Sequence, residues 1–307
     1  MRKKKSKNSL SAIILVAAFI VGLSLVLYPS VSNYWNSKVQ SKAIVNYEQI
    51  LSEGDANEFA GMIKAADEYN SQLLSLQSPF INYAKIPGYN DILNIGNSGI
   101  MGYITIEKIQ VQLPIYHGTS AEVLNVAVGH LKGSSLPVGG EGTHSVLSAH
   151  RGLPSAKLFS ELDKLDVGDI FTITVLDREL TYEVDQVLVV LPSDTEALYP
   201  EQGKDYCTLM TCTPYGINTH RLLVRGVRIE TGTEKPPFYV TADAFSVNSL
   251  IVTPIVAIPM LTALLIYMII KHRREAKHRK GNAYWSAEEL KSATENIREQ
   301  NDKGEDL

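Results

Sequence analysis

The stretch FTITVLDRELTYEV, residues 171–184, decides the fold class of this chain. Apolar and polar residues alternate from Phe171 to Val175 and again from Leu180 to Val184, and Asp177-Arg178 separates the two runs. Alternation with a period of two is typical of a β-strand that has one buried face. The stretch therefore predicts two strands joined by a turn.

Short runs of the same kind occur on both sides of this stretch. Gly102–Ile106 alternates, Val187–Leu191 is predicted to be a buried run, and Leu222–Ile229 is a further strand. Ser120–Val128 and Leu158–Leu165 are predicted to form short helices between strands. Several short strands with interleaved turns predict a mainly β domain, either a closed barrel or a sandwich.

The region before these strands has a helical pattern. Apolar residues recur at helical spacing from Ser37 to Leu76, and Gly54–Asn57 interrupts them, which predicts two helices. The second helix is expected to end near Ser78-Pro79, because the residue before a proline avoids the helical region. Gln77–Gly99 is rich in proline and glycine and predicts a long ordered loop, and such loops are usually functional.

Two segments are apolar enough to cross a membrane. Leu10–Tyr28 and Phe245–Ile270 carry no charge, and a spanning helix needs roughly 20 apolar residues. Basic residues precede the first segment and follow the second, which predicts that both termini are cytoplasmic and the middle is extracellular. A cleaved signal peptide is the alternative for the first segment. Its long apolar run and the lack of a clear Ala-x-Ala site favour an anchor that stays in the cell membrane.

These boundaries predict the domain organisation. We expect a cytoplasmic basic arm (1–9), a transmembrane helix (10–28), N-terminal helices with a loop (29–99), a β domain (100–232), a linker (233–244), a second transmembrane helix (245–270) and a cytoplasmic tail (271–307). The formal net charge is −4, but the two basic segments beside the membrane hide an acidic outer region. An acidic ectodomain argues against nucleic-acid binding.

The chain has two cysteines, Cys207 and Cys212. They are five residues apart, so on one strand they point to opposite faces, and a disulfide between them is not expected. Cys207 is interpreted as a small buried apolar residue. Cys212 is a candidate nucleophile, since a free thiol outside a cell needs a reason.

A cysteine nucleophile needs a base and a group that stabilises an oxyanion. His150 follows the apolar strand Ser145–Leu147 and opens into a loop, where reactive side chains are commonly displayed. Arg221 is permanently charged and carries five donors. The residue chemistry by itself thus indicates a possible cysteine acyl transferase, while each residue taken alone is compatible with a structural role.

Several motifs resemble those of the sortase family. They are TLMTCTPY (208–215), INTHRLLVRG (217–226), SAHRGLP (148–154) and LPIYHGT (113–119), in the order of the family, over roughly residues 99–229. The resemblance implies an eight-stranded sortase-type β-barrel with short helices. It also implies that Cys212 attacks the Thr–Gly bond of an LPxTG-like sorting signal, that His150 transfers protons, and that Arg221 binds substrate and stabilises the oxyanion.

Further expectations follow from the resemblance. Leu209, Thr211 and Ser148 are expected to contact substrate. No cofactor is expected. Other histidines lack metal-ligand spacing, and no acidic cluster resembles the calcium-binding loops of another sortase class, so no metal is predicted.

The second span and the N-terminal helices resemble class C sortases, which polymerise pilins. The acceptor amine would be a pilin lysine. Such enzymes often carry a lid with an Asp-Pro-aromatic motif, and Ser78, Pro79 and Phe80 match it except for the acid. Without that acid the lid is expected to be held more loosely at Arg221. The alternatives are a sortase that attaches surface proteins to a cell-wall precursor and, from a different class, a non-enzymatic surface scaffold.

Overall fold

The computed structural model describes residues 7–230, 258–271, 274 and 288–295. The chain divides into two compact units, one containing the residues up to Tyr28 and those from Phe245 onward, and one from Pro29 to Ala244. The predicted linker 233–244, the first half of the second span and most of the predicted tail lie outside the described residues.

Eight strands form the second unit's barrel. They are β1 (Ile100–Ile106), β2 (Val111–His117), β3 (Val128–His130), β4 (Thr143–Ser148), β5 (Ile170–Val175), β6 (Arg178–Val190), β7 (Asp205–Thr213) and β8 (His220–Ile229). The barrel is closed in the order β1-β2-β3-β4-β7-β8-β6-β5. The mainly β fold and the eight-stranded barrel with short helices are confirmed. Because the barrel is closed, the alternative of a β-sandwich is excluded.

The hairpin at residues 171–184 forms as the alternation predicts, with Val175 opposite Arg178. Inside the barrel Phe171 and Tyr182 stack with their ring centroids 5.5 Å apart. Both side chains are buried, and burying a side chain of this size stabilises the fold by roughly 2–3 kcal/mol. The two residues lie directly opposite each other, so the pair links β5 to β6 on their buried face.

Strand β6 differs from the sequence prediction beyond the hairpin. It continues without a break to Val190, and a bulge lies between Val184 and Gln186. The prediction of a buried run at Val187–Leu191 was wrong, because Val187 and Val189 are 39% and 60% exposed. Only alternate residues of this segment are covered by other side chains.

Helices precede and separate the strands. They are α1 (Lys7–Glu53), α2 (Ala56–Leu74), α3 (Pro79–Asn82) and α4 (Ala121–Leu124), with short 3-10 turns at Tyr83–Lys85, Ile95–Asn97, Glu107–Ile109, Leu162–Lys164 and Glu196–Leu198. The predicted break at Gly54–Asn57 separates α1 from α2, where Asp55 caps α2 by accepting a hydrogen bond from the Asn57 N–H. The predicted loop at Gln77–Gly99 contains α3 and two of the turns.

Helix α2 packs on the barrel with one face. Phe59, Ile63, Ala66 and Leu73 are buried along it at helical spacing. The buried Asn70 side chain joins the backbone of Leu136 twice, through its Nδ2 at 3.1 Å and its Oδ1 at 2.7 Å. These paired bonds fix α2 against the loop that leads into β4.

Part of α1, Val16–Glu53, is long and apolar enough to cross a membrane, and its most apolar window is not buried. The described part of the second predicted span is the helix Ile258–Lys271, which is apolar but shorter. The apolar N-terminal helix therefore agrees with the prediction of a membrane anchor.

Candidate active site

Two adjacent parallel strands bring Cys212 and His150 to the same edge of the barrel. Strands β4 and β7 pair in parallel up to Ser148 opposite Met210. The Ala149 N–H then donates to the Met210 carbonyl at 3.2 Å, so the pairing continues past the end of β4. Each chain runs two residues beyond the last pair, and these residues are His150 and Cys212.

Arg221 lies directly opposite Cys212 in the antiparallel pair of β7 and β8. Opposed residues of such a pair lie on the same face of the sheet, about 4.5–5.5 Å apart at Cβ. The guanidinium donates to the carbonyl oxygens of Asn218 at 3.3 Å and His220 at 3.1 Å. Within the described part of the chain it has no carboxylate partner. Its remaining donors are available to an anionic oxygen beside the thiol.

The residues expected to contact substrate occupy different positions. Leu209 is fully buried and Thr211 is 1% exposed, so neither presents a surface to a ligand. The Thr211 hydroxyl donates to the Ala149 carbonyl at 2.8 Å and holds β7 against the segment that carries His150. Both residues therefore have a structural role in this state of the protein, and their contact with substrate stays a prediction. Ser148 is half-buried at the end of β4.

Arg151 is a site residue that the sequence reasoning missed. Its guanidinium donates to the Thr213 hydroxyl at 3.2 Å and to the Asp163 carboxylate at 2.6 Å, and it lies 6.0 Å from the Tyr215 ring centroid. Through Arg151, which directly follows His150, the start of this loop is tied to the end of β7. No sequence pattern marks Arg151; in the structure the next residue, Gly152, has φ +78°, and a Cβ there would lie 2.9 Å from the Tyr215 ring.

Two other histidines and the second cysteine belong to the barrel's structure. Burial lowers the pKa of His130 and of His144 to about 4, so both rings are neutral at neutral pH. The Nε2 of His130 faces the Ser135 carbonyl at 2.8 Å and donates to it, while Nδ1 accepts from the Tyr89 hydroxyl at 2.9 Å. Burial raises the pKa of the Cys207 thiol well above its usual value, so it does not compete as a nucleophile.

Phe80 packs against a small apolar cluster next to this edge. The cluster, called the Phe80 groove here, is built on the buried Val146, Leu198 and Leu223, and Leu131, Leu188, Val190, Ala197 and Met210 pack against it as Phe80 does. The Phe80 ring also meets the Tyr199 ring edge to face, with centroids 5.4 Å apart. Met210 and Cys212 are two residues apart on β7 and so share a face, which places the groove beside the thiol.

The backbone of the same segment rests on Gly133. A Cβ at Gly133 would lie 2.7 Å from the Cα of Phe80 and 2.8 Å from the Pro79 carbonyl oxygen. Ser78 has a left-handed backbone with φ 54°, and its side chain does not cap α3. Apolar packing and close backbone contact, without an ion pair to Arg221, hold this segment.

A half-buried thiol, an imidazole and a guanidinium at one edge of a closed barrel are the groups that a cysteine acyl transferase needs. Comparison with known proteins agrees: residues 104–229 match the sortase domain. Sortase C1 from Streptococcus agalactiae is 49% identical with a TM-score of 0.57, and the match covers 62% of this chain and 99% of that one. Sortase C from Streptococcus pneumoniae is 44% identical with a TM-score of 0.57, covering 62% and 97%.

Clostridium perfringens sortase C, solved with the C-terminal cell wall sorting motif, is 44% identical with a TM-score of 0.56, covering 62% of this chain and 100% of that one. Bacillus subtilis sortase D is 33% identical over 131 residues, which is 42% of this chain and 63% of that protein. The chain belongs to the sortase family of cysteine transpeptidases, and these structural neighbours are class C members.

Proposed function

We propose that this protein is a membrane-anchored transpeptidase that cleaves an LPxTG-like sorting signal between Thr and Gly and joins the Thr to a pilin lysine. The product would be a pilus whose subunits are linked by isopeptide bonds. The single observation that carries the proposal is the meeting of Cys212, His150 and Arg221 at one edge of a barrel that matches class C sortases.

In the first half-reaction the Cys212 sulfur attacks the Thr carbonyl carbon as the thiolate. Arg221 donates hydrogen bonds to the resulting oxyanion, and losing one such donor typically costs about 2.7–4 kcal/mol. The C–N bond to Gly then breaks, and His150 gives a proton to the leaving amine. The products are a thioester on Cys212 and a free amine that begins with Gly.

In the second half-reaction a neutral lysine amine attacks the thioester carbonyl. His150, now without its proton, takes the proton that the amine loses, and the Cys212 thiolate leaves. An isopeptide bond forms and the enzyme returns to its starting state. The reaction needs no cofactor, because an amide bond is exchanged for a thioester and the thioester for a new amide bond, with no change in oxidation state.

The Phe80 groove supports a substrate with an apolar side chain before the scissile bond. An apolar side chain of the sorting signal that takes the place of Phe80 keeps the groove covered. We therefore treat Ser78, Pro79 and Phe80 as a lid that must leave before substrate binds. The lid and the site roles of Cys212, His150 and Arg221 are parts of the proposal.

The membrane arrangement is also part of the proposal. The apolar N-terminal helix and the second predicted span at 245–270 would place both termini in the cytoplasm and the barrel outside. In that position the thiol meets substrates after they have crossed the membrane. The structure of the pneumococcal neighbour gives insights into pilin substrate specificity, which favours pilins as substrates here.

Attachment of surface proteins to a cell-wall precursor is the second candidate. The clostridial neighbour was solved with a cell wall sorting motif, and both functions share the first half-reaction. Only the acceptor amine distinguishes them.

The test uses the full-length protein in detergent micelles with a sorting-signal peptide, followed by mass spectrometry of the intact protein. A thioester on Cys212 that is missing from Cys212→Ala supports the enzyme assignment. If no adduct forms even with Phe80→Ala, the transpeptidase assignment fails. Competition between a pilin-derived lysine peptide and a cell-wall peptide amine then separates the two acceptors.

A further inference from the structure

We infer that Asn33 and Asn36 of helix α1 are positioning residues for the His150 imidazole, an inference that rests on the proposed function. These residues share a helix face with Gln40 and Tyr47, at spacings of three, four and seven residues. Gln40 and Tyr47 are buried against the barrel unit, which shows that this face of α1 packs on it.

Both asparagines hydrogen-bond to the backbone of the loop that follows His150. The Asn36 Nδ2 donates to the Ser155 carbonyl oxygen at 2.8 Å. The Asn33 Oδ1 accepts from the Lys157 N–H at 2.8 Å. A carbonyl can only accept and an N–H can only donate. Asn36 therefore bonds through the NH2 group of its side-chain amide, and Asn33 bonds through the carbonyl oxygen.

A backbone hydrogen bond closes the loop and so connects these contacts to His150. The Phe159 N–H donates to the His150 carbonyl at 3.2 Å and joins the two ends of the loop. Ala156, Leu158 and Phe159 are 2%, 1% and 0% exposed, so the loop is anchored in the core on one side. The asparagines hold its other side.

Within the barrel unit as the structure describes it, the His150 ring has no orienting partner. Among residues 7–230 no side chain or backbone group forms a hydrogen bond with the imidazole. In a site of this kind the base is usually oriented by a third group. Here the ring's position depends on the backbone that carries it, and that backbone is fixed by Arg151 on one side and by α1 on the other.

Loss of the α1 contacts should therefore act on catalysis more than on substrate affinity. A misplacement of about 1 Å can lower a rate by about 100-fold. A loop that stays anchored on its core-facing side is expected to move by a smaller distance. For Asn36→Ala we expect kcat for thioester formation to fall about tenfold, with KM changed less than twofold.

The opposite chemistry of the two amides gives a sharp test in the full-length protein. Asn33→Asp keeps the oxygen that accepts from Lys157 and should retain wild-type kcat. Asn36→Asp replaces the donor by an oxygen facing the Ser155 carbonyl and should lose at least as much as Asn36→Ala. The pH profile of thioester formation should change in the Asn36 variants, since the Cys–His pair sets it.

Gln40→Ala is the matched control. Gln40 lies on the same face, but its Nε2 donates to the Val126 carbonyl at 2.7 Å, outside the His150 loop. This variant should lower the melting temperature and leave kcat and the pH profile unchanged. Wild-type kcat in both Asn36→Asp and Asn36→Ala, or an equal loss in Gln40→Ala, would overturn the inference. A wild-type protein that forms no thioester would overturn the proposed function as well.

Discussion

Gly133→Ala is expected to open the lid without changing any lid residue. Gly133 has φ +90°, and its new Cβ would lie 2.7 Å from the Cα of Phe80. Ordinary contact begins near 3.4 Å, so the backbone of Pro79 and Phe80 must move away. Overpacking of this kind costs about 1–3 kcal/mol. That energy corresponds to a roughly 5- to 150-fold larger open fraction while the closed form dominates.

The assay is the initial rate of sorting-signal peptide cleavage by the full-length protein, and the control is Gly168→Ala. Gly168 has φ +95° but nothing within 4 Å of a new Cβ. Both variants therefore carry the strain of a left-handed alanine, about 1–2 kcal/mol, and both should be less stable. Only Gly133→Ala should cleave faster. Equal rates in the two variants would refute the reasoning that this contact keeps the lid closed.

Three further predictions follow from other parts of the structure. Phe80→Ala should also raise peptide cleavage, because the apolar groove loses its occupant; an unchanged rate counts against an inhibitory lid. Burial depresses the pKa of His130 and of His144 to about 4, while the unfolded chain titrates near 6.5. Stability should therefore be complete above pH 6.5 and fall as the pH drops towards 4, by about 2 kcal/mol per histidine at pH 5; urea unfolding midpoints that do not change between pH 7 and pH 5 would contradict this. Asn70→Ala leaves the buried Leu136 N–H and carbonyl without their partners and should cost about 2–4 kcal/mol; a loss below about 0.5 kcal/mol in urea unfolding would show that this pair does not hold α2.

Local patterns in the sequence located several of the strands and singled out Cys212, His150 and Arg221, whose roles stay a prediction. Alternation locates β5 and the first half of β6, and the motif around Cys212 indicates the chemistry. The second half of β6 was misjudged, because the bulge after Val184 changes which residues are covered. Leu188 and Val190 pack against the same apolar cluster as Phe80, while Val187 and Val189 are exposed. No local pattern shows which side chains a distant segment will cover.

The residues that hold the site in position could not be predicted from the sequence, for a related reason. Arg151, Asn33 and Asn36 each hold backbone or side chains far away in the sequence, and polar residues in such roles resemble ordinary surface residues. The burial of Leu209 and Thr211 was not anticipated either, since residues next to a candidate nucleophile on a strand can face the core. Their positions follow from the pairing of β4 with β7, which depends on barrel closure.

The parallel pairing of β4 and β7 also determines when the site can exist during folding. Thr211 and Ala149, which clasp the two strands, are 62 residues apart in the chain. Contacts between distant residues form late, because a large loop must close before they bring any gain. We therefore expect the Cys212 thiol to lie apart from His150 until β7 pairs with β4 in the barrel. Acyl-transfer activity is thus expected to report barrel closure, because a partly folded chain would carry the proposed nucleophile without its proposed base.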